Sequence, residues 1–367
     1  MQLPIDVKAL IDEMTDIEAA RNTALSVSVY IDEAAPADLA AHVRNAFAST
    51  MPSVRMTVSY LDDTFMPHPT DDVAIIAAGG SAVIGPAATA IRAVGVPVMV
   101  VTTLPKIVAQ KADGLGHAIP EGDLVSPEIE IDGEEPFALD DEVRAALDDR
   151  MGRWIVAACH DKRLALAIAF PFVRCPLARD AVQTTSIQNV GIGLVPILPG
   201  ADLPVMTLNQ AKMVLQIAAA YGHAMDKDRV KELGACVGSA FVFRTLAREL
   251  TEFLPILGWI IKPGIAYGGT AALGYAVIEY FEGGEDATGV AAVLERATEK
   301  GTQIAAKARE IAEDPSSLDI PGKVSNFVPV ARDKAAKYAP VAADAITDFA
   351  KGVAAVASSI SAQVANR

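Results

Sequence analysis

The chain has 367 residues, a formal charge of −15 and a hydrophobic share of 51%, to which aromatic residues contribute only 5% of the chain. That length leaves room for two domains with separate cores, and the acidity excludes a broad nucleic-acid surface, which needs clustered Lys and Arg. Cys159, Cys175 and Cys236 stand far apart, so neither a disulfide framework nor a thiolate zinc site is encoded.

The first segment, 1–22, reads as a helix. It carries Asp6, Asp12, Glu13 and Asp16 where a secretory signal needs a basic stretch and an apolar run, so the N-terminus is expected on the cytoplasmic side. From 24 to 108, short β-branched runs alternate with helical stretches, the pattern of βαβ units. The predicted strands are Leu25–Ile31, 54–61, Val73–Ala78 and 96–102, with helices over 38–48 and 82–94. An α/β domain over 23–135, GTPase- or Rossmann-like and three-layered, is the expected fold.

A phosphate loop is sought first in such a domain, because a glycine-rich turn between strand and helix cradles phosphates. After the first strand, Ile31-Asp32-Glu33-Ala34-Ala35-Pro36-Ala37-Asp38 has no glycine and no lysine, and its three acids repel a triphosphate. After the third strand, Gly79, Gly80 and Ser81 form a tight turn and a weak anion-site candidate, with no basic residue beside it in sequence and Ser81 as the expected N-cap. The five histidines never pair at a metal-ligand spacing. His160-Asp161 is the one adjacent acid-base pair, and neighbouring helix residues point apart. No catalytic residue, metal or cofactor is expected.

Pro120, Gly122, Pro127, Gly133 and Pro136 mark a domain boundary. An all-α apolar domain is expected over 140–283 and a helical C-terminal tail with a proline-rich linker over 284–367. The tract 253–281 has only Lys262 and Glu279 charged over 29 residues, longer than the roughly 20 needed to span a bilayer. Lys262-Pro263-Gly264 interrupts it, which leaves two half-length helices, a re-entrant hairpin and one clean span all open. Gly264, Gly268 and Ala272 recur every fourth residue, leaving a groove for close helix approach. Asp202 is the only charge in the tract 187–206, and Arg174, Lys212, Arg244 and Arg248 are its candidate partners. In the tail, Ala342, Ile346, Phe349, Val353, Val356, Ile360 and Val364 form an apolar stripe for the chain's own helices, a partner helix or a membrane surface.

Residues 174–281 resemble the YcjF-type bacterial domain of unknown function, often fused to or encoded beside Era-like GTPases. The resemblance rests on 195–204 with its Pro-Gly-Ala-Asp element, Gln210-Ala211-Lys212-Met213, Ala220-Tyr221-Gly222 and Tyr267-Gly268-Gly269-Thr270. It implies a membrane protein and no particular activity. The N-terminal region is similar to the fused GTPase partner in 72–76 and 96–101. Where working GTPases carry the guanine-reading Asn-Lys-x-Asp, this chain has Thr102-Thr103-Leu104-Pro105, so no GTP-binding residue is carried over.

These readings predict a membrane-associated, non-catalytic pseudo-GTPase-like adaptor or scaffold with a cytoplasmic head, taking protein partners or a second copy through its helices. The alternatives are a nucleotide-binding switch with an unorthodox phosphate site and a soluble helical interaction protein.

Overall fold

The computed structural model describes residues 7–62, 64–127, 139–194, 202–223 and 258–283. The chain divides into two compact units. One holds Thr15–Leu177 with Ala219–Gly222, and the other is built from Met1–Met14, Ala178–Ala218 and His223 onward.

The first unit is α/β. In chain order its elements are the end of α1 (Val7–Arg21), β1 (Leu25–Ile31), α2 (Ala37–Ala46), β2 (Val54–Tyr60), β3 (Val73–Ala78), α3 (Ile84–Ala93), β4 (Val98–Thr102), α4 (Pro105–Gly114), β5 (Leu124–Val125), α5 (Asp141–Ala158) and α6 (Arg163–Ala169). All strand pairs are parallel, in the order β2-β1-β3-β4-β5. Every residue of β3 and β4 is buried, which is why those strands are apolar on both faces. The edge strand β2 has no buried residue.

Two cores follow from the period-two alternation of the strands. Val27, Val29, Ile31, Val73, Ile75, Ala77, Met99 and Val101 pack with Leu39 and Val43 of α2 and with Leu147, Met151 and Ile155 of α5. Tyr30, Ala74, Ile76, Ala78, Val98 and Val100 pack with Ile84, Ala88 and Ile91 of α3 and Val108 of α4. The compact unit therefore reaches beyond residue 135. Asp140 caps α5, accepting from the Val143 N–H at 2.8 Å, and Trp154 Nε1 donates to Asp123 beside β5 at 3.2 Å.

Two predicted strands, Leu25–Ile31 and Val73–Ala78, have the observed bounds. The fourth starts at Val98 instead of Val96, because Gly95 at φ +85° still belongs to the turn. The β2–β3 connection carries no helix among its described residues. Phe65 covers Tyr30 there, ring centroids 4.9 Å apart and edge to face.

The described residues of the second unit are helical. That unit contains most of α7 (Arg174–Leu194) and α8 (Asp202–Ala220), and α9 (Gly258–Glu282). Of the arrangements open at Lys262-Pro263-Gly264, the structure has the single helix, and α9 runs through it. Pro263 lies within the first two turns, where its missing N–H removes a single early hydrogen bond. Gly264, Gly268 and Ala272 all lie on α9, with Ala272 buried. Two residues beyond Ala272, a Cβ on Gly274 would meet Val182 Cγ2 at 2.4 Å. Among the described residues no helix is long and apolar enough to cross a membrane.

Candidate functional site

In a parallel sheet, the crevice lies at the carboxyl ends of the strands where the chain switches sides, here between β1 and β3. Asp32 follows β1 and is 1% exposed. Its Oδ2 accepts the N–H of Gly79 at 2.8 Å and of Ser81 at 3.3 Å. Its Oδ1 accepts the Ser81 hydroxyl and the Ala34 N–H, the latter at 3.2 Å. Four donors from two loops thus converge on one buried carboxylate, which is what a buried charge requires.

The three acids read together in the sequence are separated by the fold. Glu33 and Asp38 are exposed. Asp38 accepts from Leu39 N at 2.9 Å and from Leu139 N at 3.3 Å. Only Asp32 turns inward, so it fills the switch point and does not merely repel a ligand from it.

The glycines differ. A Cβ on Gly79 would lie 2.0 Å from the carbonyl oxygen of Ala34, so this position brings two backbones together and admits no side chain. A Cβ on Gly80 would meet Ile107 Cγ2 at 3.5 Å, an ordinary contact. Ser81 does not cap α3, since the residue before that helix is Val83 and no side chain bonds its first turn. The Ser81 hydroxyl is engaged by Asp32 instead. Lys111 of α4 donates its Nζ to the Gly80 carbonyl, so the fold brings a cation to a turn that has none in sequence.

Level with Gly79, one residue past the Ala78↔Thr102 pair, stands Thr103. Thr102 Oγ1 accepts from Leu104 N at 2.9 Å. Thr103 is buried at 2% exposure and its Oγ1 has no hydrogen-bond partner.

The other predicted residues lie elsewhere. Arg174 Nε donates to the Ala167 carbonyl at 3.3 Å, and Lys212 pairs with Glu13 at 3.0 Å. Asp202 opens α8. Arg244, Arg248, Cys236, residues 195–201 and the whole tail from 284, with its apolar stripe, lie outside the described residues. Gln210 is buried and belongs to a network that sequence reading missed. Asn189 Nδ2 and Gln210 Nε2 both donate to Thr270 Oγ1, at 2.9 and 2.8 Å, and Asn209 Nδ2 donates to Asn189 Oδ1 at 3.1 Å. No sequence signal marks it, because the partners lie 20 to 81 residues apart.

His42 Nε2 sits 2.8 Å from Asp148 Oδ1, linking α2 to α5. His160 and Asp161, 3.7 Å apart, are both exposed. Among the described residues no group of three or more His, Cys, Asp or Glu is placed to hold a metal ion. No protein-family model, curated protein or solved structure shows a significant match to this chain.

Proposed function

We propose that the chain is a non-catalytic, membrane-associated adaptor or scaffold, in which a pseudo-GTPase-like, three-layer head is joined to a helical region that takes protein partners or a second copy. The observation that carries this reading is Asp32. At the position where doubly wound sheets receive their ligand, the Gly79 and Ser81 amides already hold the chain's own carboxylate. A phosphate there would have to displace a buried, fourfold-bonded anion and tolerate Glu33 nearby. Membrane association is supported by the tract 253–281, with two charges in 29 residues.

Titration of the full-length protein with fluorescent GTP and ATP analogues, with magnesium, is expected to give no saturable binding. Fractionation is expected to leave the chain with membranes through a high-salt wash. Release into the supernatant without washing would remove the membrane part of the reading.

One observation favours the alternative of a nucleotide-binding switch, namely Lys111 over Gly80. Saturable, magnesium-dependent nucleotide binding that Ser81→Asp and Lys111→Ala both abolish would replace the adaptor with the switch.

A further inference from the structure

Asp32 has the geometry of a bound ligand. Its contacts to the β3–α3 loop come from the Gly79 N–H at 2.8 Å, the Ser81 N–H at 3.3 Å and the Ser81 hydroxyl. One further N–H, from Ala34 at 3.2 Å, comes from its own loop. Converging backbone N–H groups with a hydroxyl form an anion-binding concavity, and the Ala34–Gly79 approach of 2.0 Å to a virtual Cβ fixes the two loops against each other. The cradle is therefore set by backbone geometry as well as by the carboxylate inside it.

We infer that the switch point is a carboxylate-binding cradle occupied by a tethered ligand, the Asp32 side chain, and that removing this side chain leaves a site for a free carboxylate anion. This deepens the reading of the head as a closed nucleotide-type fold and rests on it. The class follows from shape. The donors divide two and two between the carboxylate oxygens, which suits a planar carboxylate, and deleting the Asp32 side chain beyond Cα frees the space of one acetate. A tetrahedral phosphate brings additional oxygens that these four donors do not serve.

The test is chemical rescue in the full-length protein. Asp32→Gly is expected to lower the Tm, and sodium acetate is expected to raise it again saturably against sodium chloride at equal ionic strength. The wild type, whose cradle is filled, shows only the non-saturable general difference between the two salts, which is the baseline for the variant. Adding Ser81→Ala, which deletes one charge-assisted bond, weakens the acetate response about ten-fold or more. Asp32→Asn, which keeps the space filled, shows no acetate response. Should Asp32→Gly not fold alone, its refolding yield in acetate against chloride gives the same readout, and a chain that stays unfolded in both counts against the inference. Equal effects of acetate and chloride on Asp32→Gly overturn it. Rescue by phosphate but not acetate overturns the carboxylate assignment. These outcomes are separate from the nucleotide titration: failed rescue with no nucleotide binding leaves the adaptor reading standing, whereas nucleotide binding by the wild type removes that reading whatever acetate does.

Discussion

Two buried polar sites, one in each unit, are satisfied by opposite means. In the α/β unit, the buried Asp32 carboxylate is satisfied mainly by backbone N–H groups. In the helical unit, Asn189, Asn209, Gln210 and Thr270 satisfy one another through side chains. The cause is where each architecture leaves backbone donors free. Strands end in loops whose amides have no ladder partner, while inside a helix each N–H is already bonded to the preceding turn. A charge is thus affordable at a strand end. Mid-helix, only neutral groups that complete one another's hydrogen bonds fit.

The comparison is broken hardest at Gly79. Gly79→Ala forces a Cβ into the Ala34 backbone and is expected to cost about 4 kcal/mol or more, while Gly80→Ala stays within about 1 kcal/mol. Denaturant melts of the two variants side by side check this, and equal losses would show that the loops move apart without penalty.

Next in size is an alkaline effect confined to the α/β unit. Burial, with a smaller contribution from Asp72, pushes the Cys159 thiol from an ordinary 9.0 up to about 12. The unfolded chain then releases a proton that the folded chain keeps, so stability present below pH 9 is lost as pH rises toward 12. The loss is about 4 kcal/mol at most. Cys159→Ala should flatten this part of the stability curve, and native Cys159 should resist alkylation at pH 8 until the chain is unfolded.

The smallest effect sharpens the helical side. Thr270→Val leaves the Asn189 and Gln210 amides without their shared acceptor and is expected to cost about 2 kcal/mol. Combining it with Asn189→Leu and Gln210→Leu should recover most of that loss, because an apolar core needs no partners. Thermal melts of the single and triple variants decide it. A triple variant as weak as the single would mean that the network also sets helix register.

Much of the sheet was legible because β-branched runs such as Leu25–Ile31 and Val73–Ala78 encode buried strands locally. β5 was not, since two residues carry no periodicity and only pairing with Val100 and Val101 makes them a strand. α4 was missed as well, for only Val108 and Ala112 of its ten residues are buried. At the site, Gly79-Gly80-Ser81 stood out by composition, and Asp32 was read only as one of three acids repelling a phosphate. Its role was hidden because the carboxylate meets Gly79 across 47 positions, and Lys111 meets Gly80 across 31. Ser81 misled as a cap because a buried acid competes for its hydroxyl more strongly than a helix end does.

The strand order also sets a timetable for synthesis. β1 pairs β2 along its whole length, yet its other neighbour, β3, lies more than forty residues downstream. Until β3 is made a growing chain holds only two adjacent strands of the sheet, and two strands alone are marginal in water. Asp32 can meet its loop donors only once Gly79 and Ser81 have been made, and both cores close later still, when Val98, Met99, Val101 and Leu147 follow.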